Sequence, residues 1–214
     1  GDVSSSDLLH GLTVIASGWN PAGGATPDNL NDGTYGTSYD DVATPAVATI
    51  AWTTVGATAE YNLGTGANGL GFDISSIQSI ADWNTAAFGN QAYSVEVKPV
   101  GGSYTSLATV DYQPLTNAGG TKVTLTDPSG ILASGIEFIK FTASSVNGGA
   151  NGGAFTFREI DVFGSDTGGA SGTFASWIDG YEVGGLTGFG DDADGDNLDN
   201  GLEAWFGTHQ GEFS

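Results

Sequence analysis

The residues with the clearest capacity for chemistry lie near the C-terminus, in a run of acidic and amide side chains from Asp191 to Glu203. The run reads DDADGDNLDNGLE, so six of its thirteen residues are carboxylates and none is Lys or Arg. Carboxylates crowded in this way repel one another and favour disorder. Because Ca²⁺ is a hard cation that prefers carboxylate and carbonyl oxygens, a bound calcium ion would turn that repulsion into attraction.

The spacing of the oxygen donors within the run matches the calcium loop of an EF-hand. Positions 1, 3, 5, 7, 9 and 12 of such a loop fall on Asp192, Asp194, Asp196, the Leu198 carbonyl, Asn200 and Glu203. Asn197 replaces the usual Gly, and Asp199 replaces an aliphatic residue, which argues against the paired EF-hands of intracellular sensors. We predict one Ca²⁺ in this loop, the alternative being a solvated acidic loop without an ion.

The composition restricts the partners and the compartment. Lys and Arg total 4 against 25 Asp and Glu in 214 residues, a formal charge of -21. Such a surface repels phosphates, so we expect no nucleic acid and no anionic bilayer as partner. No apolar run is long enough to span a membrane. The absence of Cys and Met, with 36 Gly, is typical of a secreted bacterial β-protein, so we expect an extracellular or cell-surface location.

Short strands separated by turns fill the sequence from about Asp7 to Gly164. Tyr93–Val97 alternates apolar and polar residues, and Gly101–Gly102 then supplies a turn before Tyr104–Leu107, which predicts a hairpin. In Phe155–Phe163, the alternate residues that share one predicted face of the strand include Phe as well as Glu159 and Asp161. This mixture indicates a strand with one end that supports a polar site. The pattern predicts an all-β fold, an antiparallel β-sandwich.

A Gly- and Ser-rich stretch separates these strands from the acidic loop. We predict a β-sandwich domain over residues 1–164, a linker over 165–172 and a calcium-binding segment over 173–214. In that segment Phe174–Tyr181 and Leu202–Phe206 are predicted as short helices on either side of the acidic loop, a helix–calcium loop–helix appendage.

Four landmarks in the first 164 residues resemble, in the correct order, those of the discoidin-like, galactose-binding-like domains. That group includes coagulation-factor C-type domains and many carbohydrate-binding modules. The landmarks are the loop NLNDGTYGTS at Asn29–Ser38, AEYNLG at Ala59–Gly64, YSVEV at Tyr93–Val97 followed by Gly102–Tyr104, and the closing strand FTFREIDVFG at Phe155–Gly164. The resemblance implies an eight-stranded jelly-roll sandwich. The C-terminal segment is similar to thrombospondin type 3-like and dockerin-like calcium loops, although Gly207–Gln210 departs from their usual continuation.

The resemblance also implies a second, structural Ca²⁺ in the sandwich. Its expected ligands are oxygens of Asn29, Asp32, Thr34, Thr37 and Glu159. The alternative is that Asp32 only forms a turn, and that Glu159 pairs with Arg158 or a nearby Lys.

Catalysis finds little support, because the only histidines are His10 and His209, Cys is absent and no nucleophile motif occurs. We therefore expect a non-catalytic module, which is compatible with a place in a larger polysaccharide-degrading enzyme. Such domains bind carbohydrate through loops at one end of the sandwich. The candidates here are Trp83, Asn84, Phe88, Asn90, Asn147 and Asn151, although Trp83 and Phe88 could simply cap the core.

The alternative function is structural: a calcium-stabilised building block of an extracellular filament, adhesin or surface layer. In that case the partners are neighbouring copies of the chain, with Gly1–Ser6 as an arm that pairs with a neighbour's edge strand.

Overall fold

The computed structural model describes residues 6–19, 26–34, 51–81, 89–112, 120–144, 154–168, 178, 185–193, 195 and 198–201. The chain divides into two compact units, Gly1–Thr167 and Gly168–Ser214. The first unit contains all the strands of the described residues, and its last strand continues to Asp166, into the segment expected as a linker. In the second unit, the helical residues among those described are Ile178, Asn200 and Gly201. The two predicted helices otherwise lie outside the described residues.

The first unit is a curled antiparallel sheet. Its strands are β1 (Ile15–Trp19), β2 (Ala51–Asn62), β3 (Phe72–Ala81), β4 (Gln91–Pro99), β5 (Thr105–Tyr112), β6 (Thr121–Thr126), β7 (Ala133–Ala143) and β8 (Ala154–Asp166), with a 3-10 helix at Pro27–Leu30. The order is β1-β2-β8-β3-β7-β4-β5, and β6 pairs with β3. The predicted all-β antiparallel architecture is confirmed.

Strand β2 joins the two layers of the sandwich. Its first residues, Ala51–Thr54, pair with β8, whereas Thr58–Asn62 pair with β7. Gly56 lies between these stretches with a φ of 89°, a backbone conformation that other residues rarely adopt. This glycine and its small neighbours interrupt the apolar pattern, so the sequence alone does not indicate one continuous strand.

The core lies between the layers and is formed by the alternate apolar residues of the strands. Tyr93 on β4 and Phe157 on β8 meet edge to face, with ring centroids 5.8 Å apart. Val95, Ile139 and Ile160 are almost fully buried beside them. Removing this apolar surface from water is the main force that holds the layers together.

A β-bulge in β8 separates its core residues from its acidic residues. Ala81 of β3 pairs with Phe157, but the preceding residue, Ile80, pairs with Glu159, so Arg158 is the extra residue. The bulge leaves Phe157, Ile160 and Val162 in the core cluster and turns Glu159 and Asp161 away from it. The prediction that alternate residues of Phe155–Phe163 share one face of the strand is therefore wrong. A bulge reverses the alternation and leaves no signature in composition.

Candidate ligand-binding and calcium sites

The strand directions bring four connections to one end of the sandwich. β3 ends at Ala81, which pairs with Thr121 at the start of β6 and with Phe157 near the start of β8. β5 ends at Tyr112, which pairs with Gln91 at the start of β4. β7 ends at Ala143 opposite Tyr93, and β1 ends at Trp19 opposite Thr53. The connections 20–50, 82–90, 113–120 and 144–153 therefore all leave from this end, which we call the loop end.

The opposite end, which we call the turn end, carries the short connections 63–71, 100–104 and 127–132. Side chains close these turns: Asn62 accepts from the Gly64 N–H, and Asp127 accepts from the N–H and the hydroxyl of Ser129. Such local hydrogen bonds define compact turns. The two longest connections, 20–50 and 144–153, and the Trp and Phe residues of the connections, Trp83 and Phe88, belong to the loop end.

The predicted carbohydrate-binding residues all lie in connections of the loop end. Trp83, Asn84, Phe88, Asn147 and Asn151 fall outside the described residues, so only their connections can be placed. Asn90 is described: it directly precedes β4 and is 8% exposed, and its Oδ1 accepts no hydrogen bond. A buried amide oxygen without a partner costs free energy, so it indicates a position at which a ligand group or water is expected.

Unsatisfied polar atoms are concentrated near the same end. Five buried side-chain atoms of the described residues lack a hydrogen-bond partner, and three of them belong to Asn90, Thr156 and Glu159. Asn90 directly precedes β4 and Thr156 is the third residue of β8, while Glu159 pairs with Ile80, one residue before the end of β3. Natural proteins keep such costly groups mainly where they serve binding or catalysis.

The Asp32 loop and Glu159, which the resemblance linked, are neighbours in the structure. The Thr34 N–H and hydroxyl donate to Asp32 Oδ1 at 2.8 and 3.0 Å, which fixes a tight turn after the 3-10 helix. Gly33, with a φ of 83°, then donates its N–H to Glu159 Oε1 at 3.2 Å. Asn29 is buried and Asp32 is exposed, and Thr37 lies outside the described residues.

Glu159 is a buried acid with an uncompensated oxygen. It is 0% exposed, and its Oε2 has no hydrogen-bond partner. Burial raises the pKa of Glu159 from 4.5 to about 8, against the opposing effect of the Gly33 N–H. The ion pairs in the described part of the chain, Lys98–Glu137 and Lys140–Glu96, do not involve it.

These donors fit a calcium ion, because a buried carboxylate lies one hydrogen bond from an Asp-containing turn. No three His, Asp or Glu side chains cluster in a metal-binding arrangement within the described ranges. An ion here would therefore also need carbonyl and hydroxyl oxygens, as the expected ligand set of Asn29 and Thr34 implies.

The described part of the acidic loop is held together by Asn200. This residue is fully buried, and its Nδ2 donates to the carbonyls of Leu186 and Gly188 at 2.8 and 3.0 Å. Its Oδ1 accepts from the Ala193 N–H at 3.2 Å. Asp192 Oδ1 accepts from the Gly195 N–H at 2.8 Å. Asp192, Leu198 and Asn200 thus lie in one short segment, while Asp194, Asp196 and Glu203 fall outside the described residues.

Two polar residues near the Asp32 turn were missed by the sequence reasoning. Asn31 Nδ2 donates to the carbonyls of Leu9 and Leu12, and the Tyr61 hydroxyl donates to Asn31 Oδ1. Asp7 Oδ1 accepts from the N–H groups of Leu9 and Val162, although burial raises the pKa of Asp7. Both residues tie the N-terminal turn to the rest of the sandwich, and their spacing carries no signal for these distant contacts.

Comparison with known proteins is informative at the level of structure. No protein-family model matches the chain, and no curated protein matches it in sequence. A fucose binding module from Streptococcus pneumoniae superposes with a TM-score of 0.51 at 12% identity, over 76% of this chain and 98% of that chain. A fucolectin from striped bass (Morone saxatilis) serum superposes with a TM-score of 0.53 at 11% identity, over 79% of this chain and 52% of that chain.

A family 32 carbohydrate-binding module from C. perfringens, solved with galactose, is also similar, with 18% identity over 71% of this chain and 93% of that chain and a TM-score of 0.47. The chain spans about half the length of the bass lectin. At these identities the likeness establishes the fold and nothing finer. The first unit therefore has an antiparallel β-sandwich fold like that of the fucose binding module and the fucolectin.

Proposed function

We propose that the first unit is a secreted, non-catalytic carbohydrate-binding module that takes its glycan at the loop end. The observation that carries this proposal is the convergence of the connections bearing Trp83, Asn90 and Asn147 at one end of the sandwich. Sites for small ligands combine apolar or aromatic surface with a few polar groups that fix orientation. An aromatic ring can cover the apolar face of a sugar ring, while amides bind its hydroxyls. The buried side-chain oxygen of Asn90, Oδ1, which accepts no hydrogen bond, supplies a polar group of this kind.

The charge of the loop end restricts the glycan to a neutral or cationic one. Its four connections contain no Lys, Arg or His but include Asp28, Asp32, Asp40, Asp41 and Asp82. Arg158 is buried, and Lys98 and Lys140 lie in ion pairs with Glu137 and Glu96. The fourth basic residue, Lys122, is exposed on β6 beside connection 113–120, so it is a single cation against these five carboxylates. A sulfated or uronic polymer would be repelled here unless a calcium ion bridged it.

Calcium has a supporting role in this proposal. In the sandwich, Asp32 and Glu159 with oxygens of Asn29, Thr34 and Thr37 would hold one ion, which would neutralise the buried carboxylate and stiffen the Asp32 turn. In the second unit, Asp192, Asp194, Asp196, Leu198, Asn200 and Glu203 would hold another. Both ions would raise stability by binding the folded state alone.

The proposal is tested by glycan binding with and without calcium. The full chain is applied to an array of fucose-, galactose-, amino-sugar- and uronate-terminated oligosaccharides, and hits are titrated calorimetrically. We expect binding of neutral or amino-sugar glycans, and Trp83→Ala should weaken it at least tenfold. The matched control is Leu70→Ala, which removes a side chain 55% exposed in a turn-end connection. Absence of binding at millimolar glycan, or equal losses in both variants, would contradict the proposal.

A second candidate is a calcium-stabilised building block that assembles with copies of itself. The observation in its favour is that β1 is the last strand of the described sheet, with Ile15 57% exposed. An edge strand offers unpaired backbone groups to a neighbouring chain. Sedimentation of the full chain with added calcium or with EDTA separates the two functions: a stable monomer favours the glycan module, and calcium-dependent polymers favour the building block.

The compartment is part of the proposal. The chain lacks Cys and carries an acidic surface suited to a calcium-rich medium. Within the described ranges, no helix has the length and apolar content that crossing a membrane requires. Fractionation of the producing cells, with the chain expected outside the cytoplasm, tests the location.

A further inference from the structure

We propose that Thr121 and Gln91 are positioning residues of the glycan site, which hold the end of connection 82–90 in place through a continuous network of buried and half-buried hydrogen bonds. This inference rests on the proposed function, because it concerns how the same loop end is built. Neither residue was a candidate from the sequence, and neither is required to touch the glycan.

The chain of hydrogen bonds crosses three strands. The Tyr93 hydroxyl lies 2.7 Å from Ser79 Oγ, and Ser79 Oγ donates to Gln91 Oε1. On the other side of the amide, Gln91 Nε2 donates to Thr121 Oγ1 at 2.8 Å, and Thr121 Oγ1 donates to the carbonyl of Gly89. Since Ser79 Oγ and Thr121 Oγ1 each have one donor proton, Tyr93 must donate to Ser79. The donors then run in one direction from Tyr93 to Gly89.

The Tyr93–Ser79–Gln91 part of this network is isolated from water, and its Thr121 end is half-buried. Gln91 and Ser79 are 0% exposed and Tyr93 is 1% exposed. Burial raises the pKa of Tyr93 to about 12, against the effect of its hydrogen bond with Ser79, so its hydroxyl keeps its proton throughout the accessible pH range. Fully satisfied buried networks specify one arrangement, because any rotation of the Gln91 amide would leave several groups unpaired.

The last acceptor, the carbonyl oxygen of Gly89, gives the hydrogen-bonded network its role. Gly89 is the penultimate residue of connection 82–90, and Thr121 is the first residue of β6, directly after connection 113–120. Their hydrogen bond therefore ties together the bases of two loop-end connections. Asn90 lies between Gly89 and Gln91, both of which the network binds, so the backbone that carries its unpartnered Oδ1 is restrained on both sides.

A comparable network at the turn end provides a control. There Asp73 Oδ1 accepts from the hydroxyls of Ser134 and Thr167, and Thr167 Oγ1 accepts from the Gly135 N–H at 2.9 Å. Thr167 thus resembles Thr121, since its hydroxyl both donates and accepts in a network that joins several strands. The two networks lie near opposite ends of β3, about 20 Å apart at the rise of a strand.

The test compares Thr121→Val, Thr121→Ser and Thr167→Val in the full chain. Backbone hydrogen exchange is measured for residues 82–90 and 113–120, and a fucose-terminated oligosaccharide from the array is titrated well below the unfolding temperature. Thr121→Val should speed exchange in these connections and lower affinity about tenfold, equivalent to about 1.4 kcal/mol. Thr121→Ser keeps the hydroxyl, so its exchange rates and its affinity should match those of the wild type. Thr167→Val should lower the unfolding temperature without changing affinity or loop exchange.

The outcomes separate this inference from the proposed function. Unchanged affinity and exchange in Thr121→Val overturn the positioning role, as do equal effects in Thr167→Val, which would show a general loss of stability. If no glycan binds the wild type, the proposed function fails, and the exchange measurement alone decides whether Thr121 orders the connections. If Thr121→Val does not fold, Thr121→Ala removes the same half-buried hydroxyl without adding a second methyl group, and the same results are expected of it.

Discussion

Replacing Glu159 by Gln removes a buried charge while keeping an acceptor for the Gly33 N–H. The pKa of Glu159 rises from 4.5 to about 8 on folding, because the carboxylate is buried. An acid with a raised pKa in the folded state favours folding at low pH. In calcium-free protein its contribution is complete below pH 4.5 and is lost as the pH rises through about 8.

The size of the effect follows from the shift. Each pKa unit corresponds to 1.36 kcal/mol, so ionising Glu159 costs on the order of 5 kcal/mol in the calcium-free protein, of which about 4 kcal/mol falls between pH 5 and pH 9. For a domain of this length, that lowers the unfolding temperature by roughly 10 °C between pH 5 and pH 9. The unfolding temperature of Glu159→Gln should fall much less between pH 5 and pH 9, and this variant should be more stable than the wild type at pH 8 in EDTA. Asp7, whose pKa is also raised, contributes equally to both proteins and cancels in the comparison.

Calcium should reduce the difference in stability between the two proteins. A bound ion needs the ionised carboxylate, so added Ca²⁺ should stabilise the wild type at pH 8 by about 2.7 kcal/mol at a hundredfold excess over the dissociation constant. Glu159→Gln should lose the response of the sandwich to calcium. Scanning calorimetry with EDTA and with calcium at pH 5, 7 and 9 measures both effects, and Glu137→Gln, which alters an ion-paired surface acid, is the control. An unchanged calcium response in Glu159→Gln would refute the assignment of this ion site.

Three further predictions concern separate parts of the chain. Asn90→Ala should lower the free energy of unfolding, measured with denaturant, by less than about 1 kcal/mol, because Oδ1 accepts no hydrogen bond, yet it should weaken glycan binding at least tenfold. The control Asn31→Ala loses three hydrogen bonds and should lower the free energy of unfolding by about 2–3 kcal/mol. Gly71→Ala should destabilise the sandwich by about 3 kcal/mol or more, because the φ of Gly71 is 86° and a Cβ there would lie 2.6 Å from the Gly135 carbonyl carbon. The control Gly69→Ala adds a Cβ in open space and should destabilise the sandwich by only about 1–2 kcal/mol. EDTA should speed hydrogen exchange first in residues 172–214, because the acidic loop loses its counter-charge, and uniform exchange with and without calcium would contradict that loop's role.

The strands were predictable where one face of the sheet is buried. Tyr93, Val95 and Val97 alternate with half-buried Ser94 and Glu96, as the sequence indicated, because β4 separates the core from a polar face. The pattern failed where the chain changes partner or register. Gly56 allows β2 to pass from β8 to β7, and the bulge at Arg158 exchanges the faces of β8. Such features depend on pairing between distant strands, which residue periodicity does not encode.

The candidate sites, like the strands, were predictable from the sequence only in part. The nearness of Asp32 and Glu159, far apart in sequence, came from the family resemblance and not from spacing, and the structure places them beside each other. The network of Ser79, Gln91 and Thr121 was not foreseen, since single polar residues in strands normally face solvent. Its members become conspicuous only when the fold buries them together. The ligands of the acidic loop were proposed from spacing alone, and that assignment stays a prediction.

The most direct test of the account is a map of amide chemical shifts during titration of the ¹⁵N-labelled chain with a fucose-terminated oligosaccharide in calcium. The account predicts shifts at the loop end, in residues 89–91, 112, 120–122 and 154–157, and constant positions for the turn-end residues 64–71, 100–104 and 127–132. Shifts confined to the turn end, or none with any neutral or amino-sugar glycan at millimolar concentration, would contradict it.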